Sequence, residues 1–114
     1  MEKPKKITSY EYNNSLDIIH IYNSNISNGV KGVLSVGDYS IDVGMENEVV
    51  GVEIEEASKV LGMDRESLKD LDSVEILTRA SKNLLFIGVR AIKSKEIATV
   101  QFNINLPKAL SIPN

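Results

Sequence analysis

The chain has no cysteine and no tryptophan, and it contains a single histidine. The absence of cysteine excludes disulfides and thiolate metal sites. With one histidine, a zinc ion would have to be bound mainly by carboxylates, which is unusual. No apolar run approaches the roughly 20 residues that span a bilayer, and no apolar signal-peptide core follows the first residues. We therefore expect a cytoplasmic protein with no membrane partner, no metal site and no cofactor.

The sequence also lacks the usual signatures of nucleotide and nucleic-acid binding. It has no Gly-rich phosphate loop, no Ser-centred nucleophile elbow and no dinucleotide signature. Residues 1–62 carry a net charge of −5 and residues 63–114 a net charge of +2, which sum to −3. An acidic first half does not suit a phosphate backbone, and the aromatic residues are not interleaved with the basic ones as in an RNA-stacking platform. Nucleic acid is therefore not the expected partner.

A length of 114 residues predicts one domain, residues 1–114. The apolar alternation predicts mainly strands, with one strand or two between Val33 and Val43 because Gly37-Asp38 marks a turn or a bulge. The fold class that we predict is a β-rich α+β domain, an antiparallel meander of five to seven strands with two short helices inserted near the middle. The predicted strand segments are Ile7–Tyr12, Leu16–Tyr22, Val33–Val36, Tyr39–Val43, Val49–Glu55, Val74–Arg79, Leu84–Lys93 and Glu96–Leu106.

Two strands have a clear period of two. In the segment Val49–Glu55, Val50, Val52 and Ile54 share one face, and Gly51 lies on the other, where a neighbouring backbone or side chain can approach closely. In the last strand the alternate residues from Ala98 to Leu106 form an apolar face opposite a polar one.

Two short helices are predicted after this first pattern. Ala57, Val60 and Leu61 recur at helical spacing, and Gly62 follows as the C-terminal cap. Asp64 is placed to cap the second helix at its N-terminus.

Two segments of the chain resemble domain-of-unknown-function family 2283, a small prokaryotic family with no established activity. The first is the segment from Tyr12 to Ile21, in which Asp17, Ile19 and Ile21 stand at the matching places. The second comprises Ile41-Asp42, then Val49-Val50-Gly51-Val52-Glu53-Ile54, then Ala57-Ser58-Lys59. Three positions differ from the family pattern. His20 stands where the family usually has an aromatic residue, and Asn13-Asn14 stands where it has Asp-Pro. Glu46-Asn47-Glu48 replaces an Asp-Gly-type turn. The resemblance implies a family-like core at residues 12–61, with a helix and β-hairpin extension at 63–106 and a tail at 107–114.

The candidate ligand-binding residues are the three carboxylates matched by the resemblance, Asp17, Asp42 and Glu53, together with His20. Carboxylates on adjacent strands can form an acid pair or a metal site. A structural role competes with this: Asp17 would order its turn, and Asp42 or Glu53 would pair with a basic residue across the sheet. His20 is three residues from Asp17, so the two point to opposite faces of a strand. We predict no catalytic residue.

We predict a protein of unknown function, and the leading hypothesis is a non-enzymatic, self-associating interaction module. Two short helices cannot cover both faces of a sheet of five or more strands, and Ile18 and Ile19 place apolar groups on both faces. An open face or edge invites pairing, so we expect a homodimer. One alternative is a regulatory, antitoxin-like partner of another protein. A further alternative is a small carboxylate-based enzyme or a metal or ligand binder.

Overall fold

The computed structural model describes residues 8–23, 29–45 and 48–105, with the side chain of Ala80 excepted. Within these ranges the chain forms eight strands and two short helices. In chain order they are β1 (Thr8–Asn13), β2 (Ile18–Asn23), β3 (Val30–Val36), β4 (Tyr39–Gly44), β5 (Val49–Ile54), α1 (Ala57–Leu61), α2 (Arg65–Leu68), β6 (Ser73–Ser81), β7 (Leu84–Lys93) and β8 (Glu96–Asn105).

The strands form two antiparallel sheets. The first has five strands in the order β1-β2-β5-β4-β3, and the second has three in the order β6-β7-β8. The predicted β-rich α+β class is confirmed, and eight described strands replace the five to seven expected. The first sheet is not a simple meander, because β5 lies between β2 and β4. Gly37-Asp38 forms the turn that separates β3 from β4, and Gly37 has a φ of +56°, which glycine adopts without steric cost.

The hydrophobic core lies between the two sheets. Ile19, Ile21 and Ile54 of the first sheet are fully buried, as is Val89 of the second. The shortest dimension of the molecule is 22 Å, which fits two sheets packed about 10 Å apart with their outward side chains. The face that two short helices could not cover is therefore covered by the second sheet.

The predicted alternation of β8 is confirmed over the described residues. Ala98 and Ile104 are buried, and Val100 and Phe102 pack against the core. The residues between them are exposed or face outward. Leu106, the last member of the predicted face, lies outside the described residues, as do Ile7, residues 24–28 and the predicted tail at 107–114.

The predicted face of β5 is buried, but its first residue does not follow a strict period of two. Val50, Val52 and Ile54 are buried as predicted, and Val49 is buried as much as Val50 and packs in the core cluster with Val52 and Ile54. The reason is a bulge: the register between β4 and β5 shifts after Asp42, so that Val43 pairs with Val49. A bulge places two residues opposite one and breaks the period of two, so both adjacent valines are buried, which a strict alternation does not allow.

Both helices have the predicted caps. Gly62 ends α1 in the left-handed conformation, with a φ of +66°. Asp64 caps α2, since its Oδ1 accepts a hydrogen bond of 2.8 Å from the backbone N–H of Ser67. Met63 and Leu68, on either side of this cap, are buried. Neither helix is long and apolar enough to cross a membrane.

The stacked pair of Phe102 and Tyr39 gives a test of the two-layer core. Their ring centroids are 3.9 Å apart, and they join β8 to β4 across the interface between the sheets. Because Phe102 is partly buried, we expect Phe102→Ala to lower the free energy of unfolding by about 3 kcal/mol. Asn103→Ala, which alters the exposed face of the same strand, should cost less than about 1 kcal/mol. Urea denaturation of both variants measures the difference, and equal losses would contradict the two-layer packing.

Candidate functional site

Asp17 is the one polar residue that is buried among those described, with 7% of its surface exposed. It lies in the turn between β1 and β2, with a φ of +56°. The hydroxyl group of Tyr12 donates a hydrogen bond of 2.6 Å to Asp17 Oδ1. Ser58 donates two more, from its backbone N–H to Oδ1 at 3.0 Å and from its hydroxyl to Oδ2 at 2.7 Å. The carboxylate is therefore held by three donors.

These bonds attach the β1–β2 turn to the start of α1. Glu56, at the N-cap of that helix, makes no side-chain cap hydrogen bond. The carboxylate of Asp17 takes its place by accepting the N–H of Ser58, and the carbonyl of Asp17 accepts the N–H of Ala57 at 2.9 Å. Arg65 adds a guanidinium group 3.8 Å from Asp17 Oδ2. Every polar contact of this carboxylate is thus used within the fold, so its geometry is that of a structural anchor.

Burial and hydrogen bonding together determine the ionisation of both partners. Burial by itself raises the pKa of Asp17, but the bonds from Tyr12 and Ser58 and the charge of Arg65 outweigh it and hold the pKa below its ordinary value. Burial, followed by the bond to Asp17, raises the pKa of Tyr12 to about 12. The pair therefore consists of a charged carboxylate and a neutral phenol throughout the neutral pH range.

We expect Asp17→Asn to destabilise the fold by about 2–3 kcal/mol at neutral pH, because a charged hydrogen-bond acceptor is lost from a buried position. Asparagine tolerates the left-handed backbone, so the substitution isolates the carboxylate. The folded-state pKa of Asp17 is lowered, so its contribution is present above the ordinary pKa of about 3.9 and is lost as the pH falls through the folded-state value. Chemical denaturation of both proteins over an acid pH series should therefore show their difference shrinking below about pH 4.

The matched control is Asp64→Asn at the N-cap of α2, where asparagine caps as well as aspartate. We expect no measurable loss of stability there. Equal losses for the two variants would contradict the anchoring role of Asp17.

His20 and Asp42 form a pair on the outer face of the five-stranded sheet. His20 Nε2 lies 3.1 Å from Asp42 Oδ2, and their side chains are 38% and 23% exposed. The two residues are on β2 and β4, so the pair spans β5, which lies between those strands. It passes over Gly51, where a Cβ atom would come within 2.7 Å of Asp42 Oδ2 and 3.2 Å of His20 Nε2. The close approach predicted at Gly51 is therefore confirmed.

Three of the four candidate residues share this outer face. Glu53 lies directly opposite His20 in the register of β2 with β5. Asp42, on β4, lies opposite Gly51 of β5. Asp17 is not among them, since it faces α1 from the β1–β2 turn. No group of three or more His, Asp and Glu residues able to hold a metal ion occurs in the described ranges. The three residues share a sheet face without forming a metal centre.

The His20–Asp42 contact engages one imidazole nitrogen, Nε2. An imidazole held by a carboxylate can serve as a general base when a hydroxyl or water lies within hydrogen-bond distance. No hydroxyl group of a described residue is hydrogen-bonded to His20; its ring contacts that of Tyr22, with centroids 5.4 Å apart. The geometry is that of an oriented surface histidine, without a protein nucleophile beside it.

Gly51→Ala tests the dependence of this pair on glycine. The new methyl group would displace the Asp42 carboxylate, which is the end of a side chain and can move. We expect a double-mutant cycle of His20→Gln and Asp42→Asn to give a coupling energy of about 0.5 kcal/mol in the natural chain and none in the Gly51→Ala background. The control background is Gly88→Ala, where a Cβ would meet atoms no closer than 3.7 Å. Undiminished coupling in the Gly51→Ala background would show that the pair does not need the space.

Sequence reasoning missed one further pair. Arg79 lies directly opposite Phe86 in the register of β6 with β7, and its guanidinium carbon is 5.1 Å from the centre of the Phe86 ring. A signal was present, because the two residues between Ser81 and Leu84 set the register of this hairpin and place Arg79 opposite Phe86.

Comparisons of the chain with protein-family models, with curated proteins and with solved structures gave no match. The resemblance to domain-of-unknown-function family 2283 therefore stays a prediction.

Proposed function

We propose that this chain is a non-enzymatic, cytoplasmic interaction module that forms a two-fold homodimer by pairing strand β3 with β3 of a second copy. The observation that carries the proposal is the distribution of exposed apolar side chains. Four of the seven large hydrophobic residues that are exposed among those described lie on β3 or directly after β4, the strand that pairs with β3. They are Val30, Val33, Val36 and Met45.

The position of β3 supports this interface. It is an end strand of the five-stranded sheet, and no described strand pairs with its outer edge. The other end strands have neighbours from elsewhere in the fold, since β1 contacts β6, and α1 contacts β8. An open edge is a row of backbone donors and acceptors that another strand can satisfy.

The sequence of β3 also lacks most of the features that protect an edge. Charged residues and proline commonly block edge pairing. Here Lys31 is the one charge, and it lies at the bulge between Val30 and Gly32. The segment from Gly32 to Val36 has neither a charge nor a proline. It carries apolar groups on both faces, since Val33 is exposed and Leu34 packs against the core.

The arrangement of charge favours the β3 edge, rather than either sheet face, as the dimer interface. The acidic residues Glu11, Asp42 and Glu53 lie on the outer face of the first sheet, whereas Arg79 and Arg90 lie on the outer face of the second. These faces are on opposite sides of the molecule, and a two-fold contact joins a patch to the same patch of its partner. Attraction between unlike faces would build an open chain of molecules. Pairing of β3 with itself closes at two copies.

Val33→Lys tests the proposal. Val33 is 59% exposed, so lysine should leave the fold intact while placing a charge, repeated by symmetry, in the proposed interface. Light scattering coupled to size exclusion should give twice the single-chain mass of 12.6 kDa for the natural chain at micromolar concentration and the single-chain mass for the variant. Ile97→Lys, at a residue that is 64% exposed on β8, is the matched control and should remain a dimer.

A single-chain mass for the natural protein across a dilution series would overturn the homodimer. The edge of β3 would then be the surface to test for a heterologous strand, which is the regulatory, antitoxin-like alternative. If both variants gave the single-chain mass, added charge in general, rather than the β3 edge, would determine association.

A further inference from the structure

The outer face of the three-stranded sheet contains a shallow cavity of about 560 Å³. Most of its lining comes from two rows of residues, and the residues within each row are neighbours on adjacent strands. The first row is Leu77, Gly88 and Gln101, and the second is Arg79, Phe86 and Asn103. Its volume lies in the range of small-molecule sites, which are mostly apolar with a few placed polar groups.

Arg79 provides a cation that has no counter-ion among the described residues. Its guanidinium group lies over the Phe86 ring, and it forms no ion pair with any residue in the described ranges. Arg90, on the same sheet face, is different, because Glu75 holds it through two bonds of 2.9 and 3.0 Å. The contact with the aromatic ring restrains the guanidinium of Arg79, whose N–H donors form a fixed planar fork.

Gly88 forms the floor of the cavity. A Cβ atom there would lie 3.7 Å from Leu77 Cβ, 3.8 Å from the Val100 carbonyl oxygen and 3.9 Å from Gln101 Cγ. These are ordinary contact distances, so packing does not require glycine. Glycine weakens a central strand and often marks a position where a ligand approaches the backbone. The missing side chain keeps the space between Leu77 and Gln101 open.

We propose that this cavity binds a small organic acid that has a carboxylate at one end and an apolar body. The carboxylate accepts hydrogen bonds from Arg79, whose planar guanidinium suits two-point recognition of that group. The apolar body lies over Gly88 between Leu77 and Phe86, of which Leu77 is 51% exposed. The side-chain amides of Gln101 and Asn103, one in each row, flank it along β8.

The test is a nuclear magnetic resonance titration with two probes of equal size, hexanoate and hexanamide. Hexanoate should shift the backbone amide signals of the residues that line the cavity, with a dissociation constant of about 1 mM, as its few atoms allow. Hexanamide lacks the charge and should bind about tenfold more weakly. Equal binding of the two probes, or signal shifts on another surface, would overturn the proposal.

Two variants separate the contributions of charge and space. Arg79→Gln should weaken hexanoate binding about tenfold, whereas Lys82→Asn should leave it within about twofold. Lys82 is in the adjoining turn with a φ of +54°, a conformation that asparagine tolerates, so this control removes the same charge outside the cavity. Gly88→Ala should keep or raise the melting temperature and lose hexanoate binding. Unchanged binding in Gly88→Ala, or equal weakening by Arg79→Gln and Lys82→Asn, would contradict the site.

Discussion

The position of the second sheet over the first depends on two hydroxyl groups of strand β1 and on the carboxylate that one of them binds. Tyr12 holds Asp17, which in turn holds Ser58, 41 residues further along the chain. The hydroxyl of Tyr10 accepts a bond of 2.7 Å from the N–H of Leu71, just before β6. The connection from β5 to β6, which contains both helices, is thus fixed near its two ends. Helices of four and five residues are too short to be stable alone, so these ties hold them in place.

The second sheet covers one face of the first and leaves three surfaces open, and they differ in chemistry. The outer face of the first sheet is acidic and carries the pair of His20 and Asp42. The outer face of the second carries the arginine held on Phe86, and the β3 edge is apolar. Each has a different consequence for binding, because backbone pairing and the recognition of charged groups require different partners. The core beneath them contains no charged residue other than Asp17 among those described.

Features that depend on neighbouring residues could be read from the sequence, whereas those that depend on strand order could not. The bounds of β7, the cap at Gly62 and the open space at Gly51 follow from local periodicity and from the chemistry of glycine. The pairing of His20 with Asp42 needs β5 to lie between β2 and β4, and no local pattern gives that order. The bulge that places Val49 opposite Val43 could not be read from the apolar pattern, since two adjacent valines have the same preference for a strand. Asp17 was a candidate, but its partner Ser58 is distant in sequence.

The insertion of β5 between β2 and β4 has a consequence for the order in which the first sheet can form. During synthesis, the two hairpins that this sheet contains, β1 with β2 and β3 with β4, leave the ribosome before β5 does. Neither has a neighbour for its inner strand until residue 54 has emerged, so each presents an additional open edge during that interval. The arrival of β5 closes both edges at once and joins the hairpins into one sheet. Residues 49 to 54 are therefore the segment that completes this sheet. A ribosome pause just before they emerge would prolong the stage at which the nascent chain has the most open strand edges and aggregates most readily.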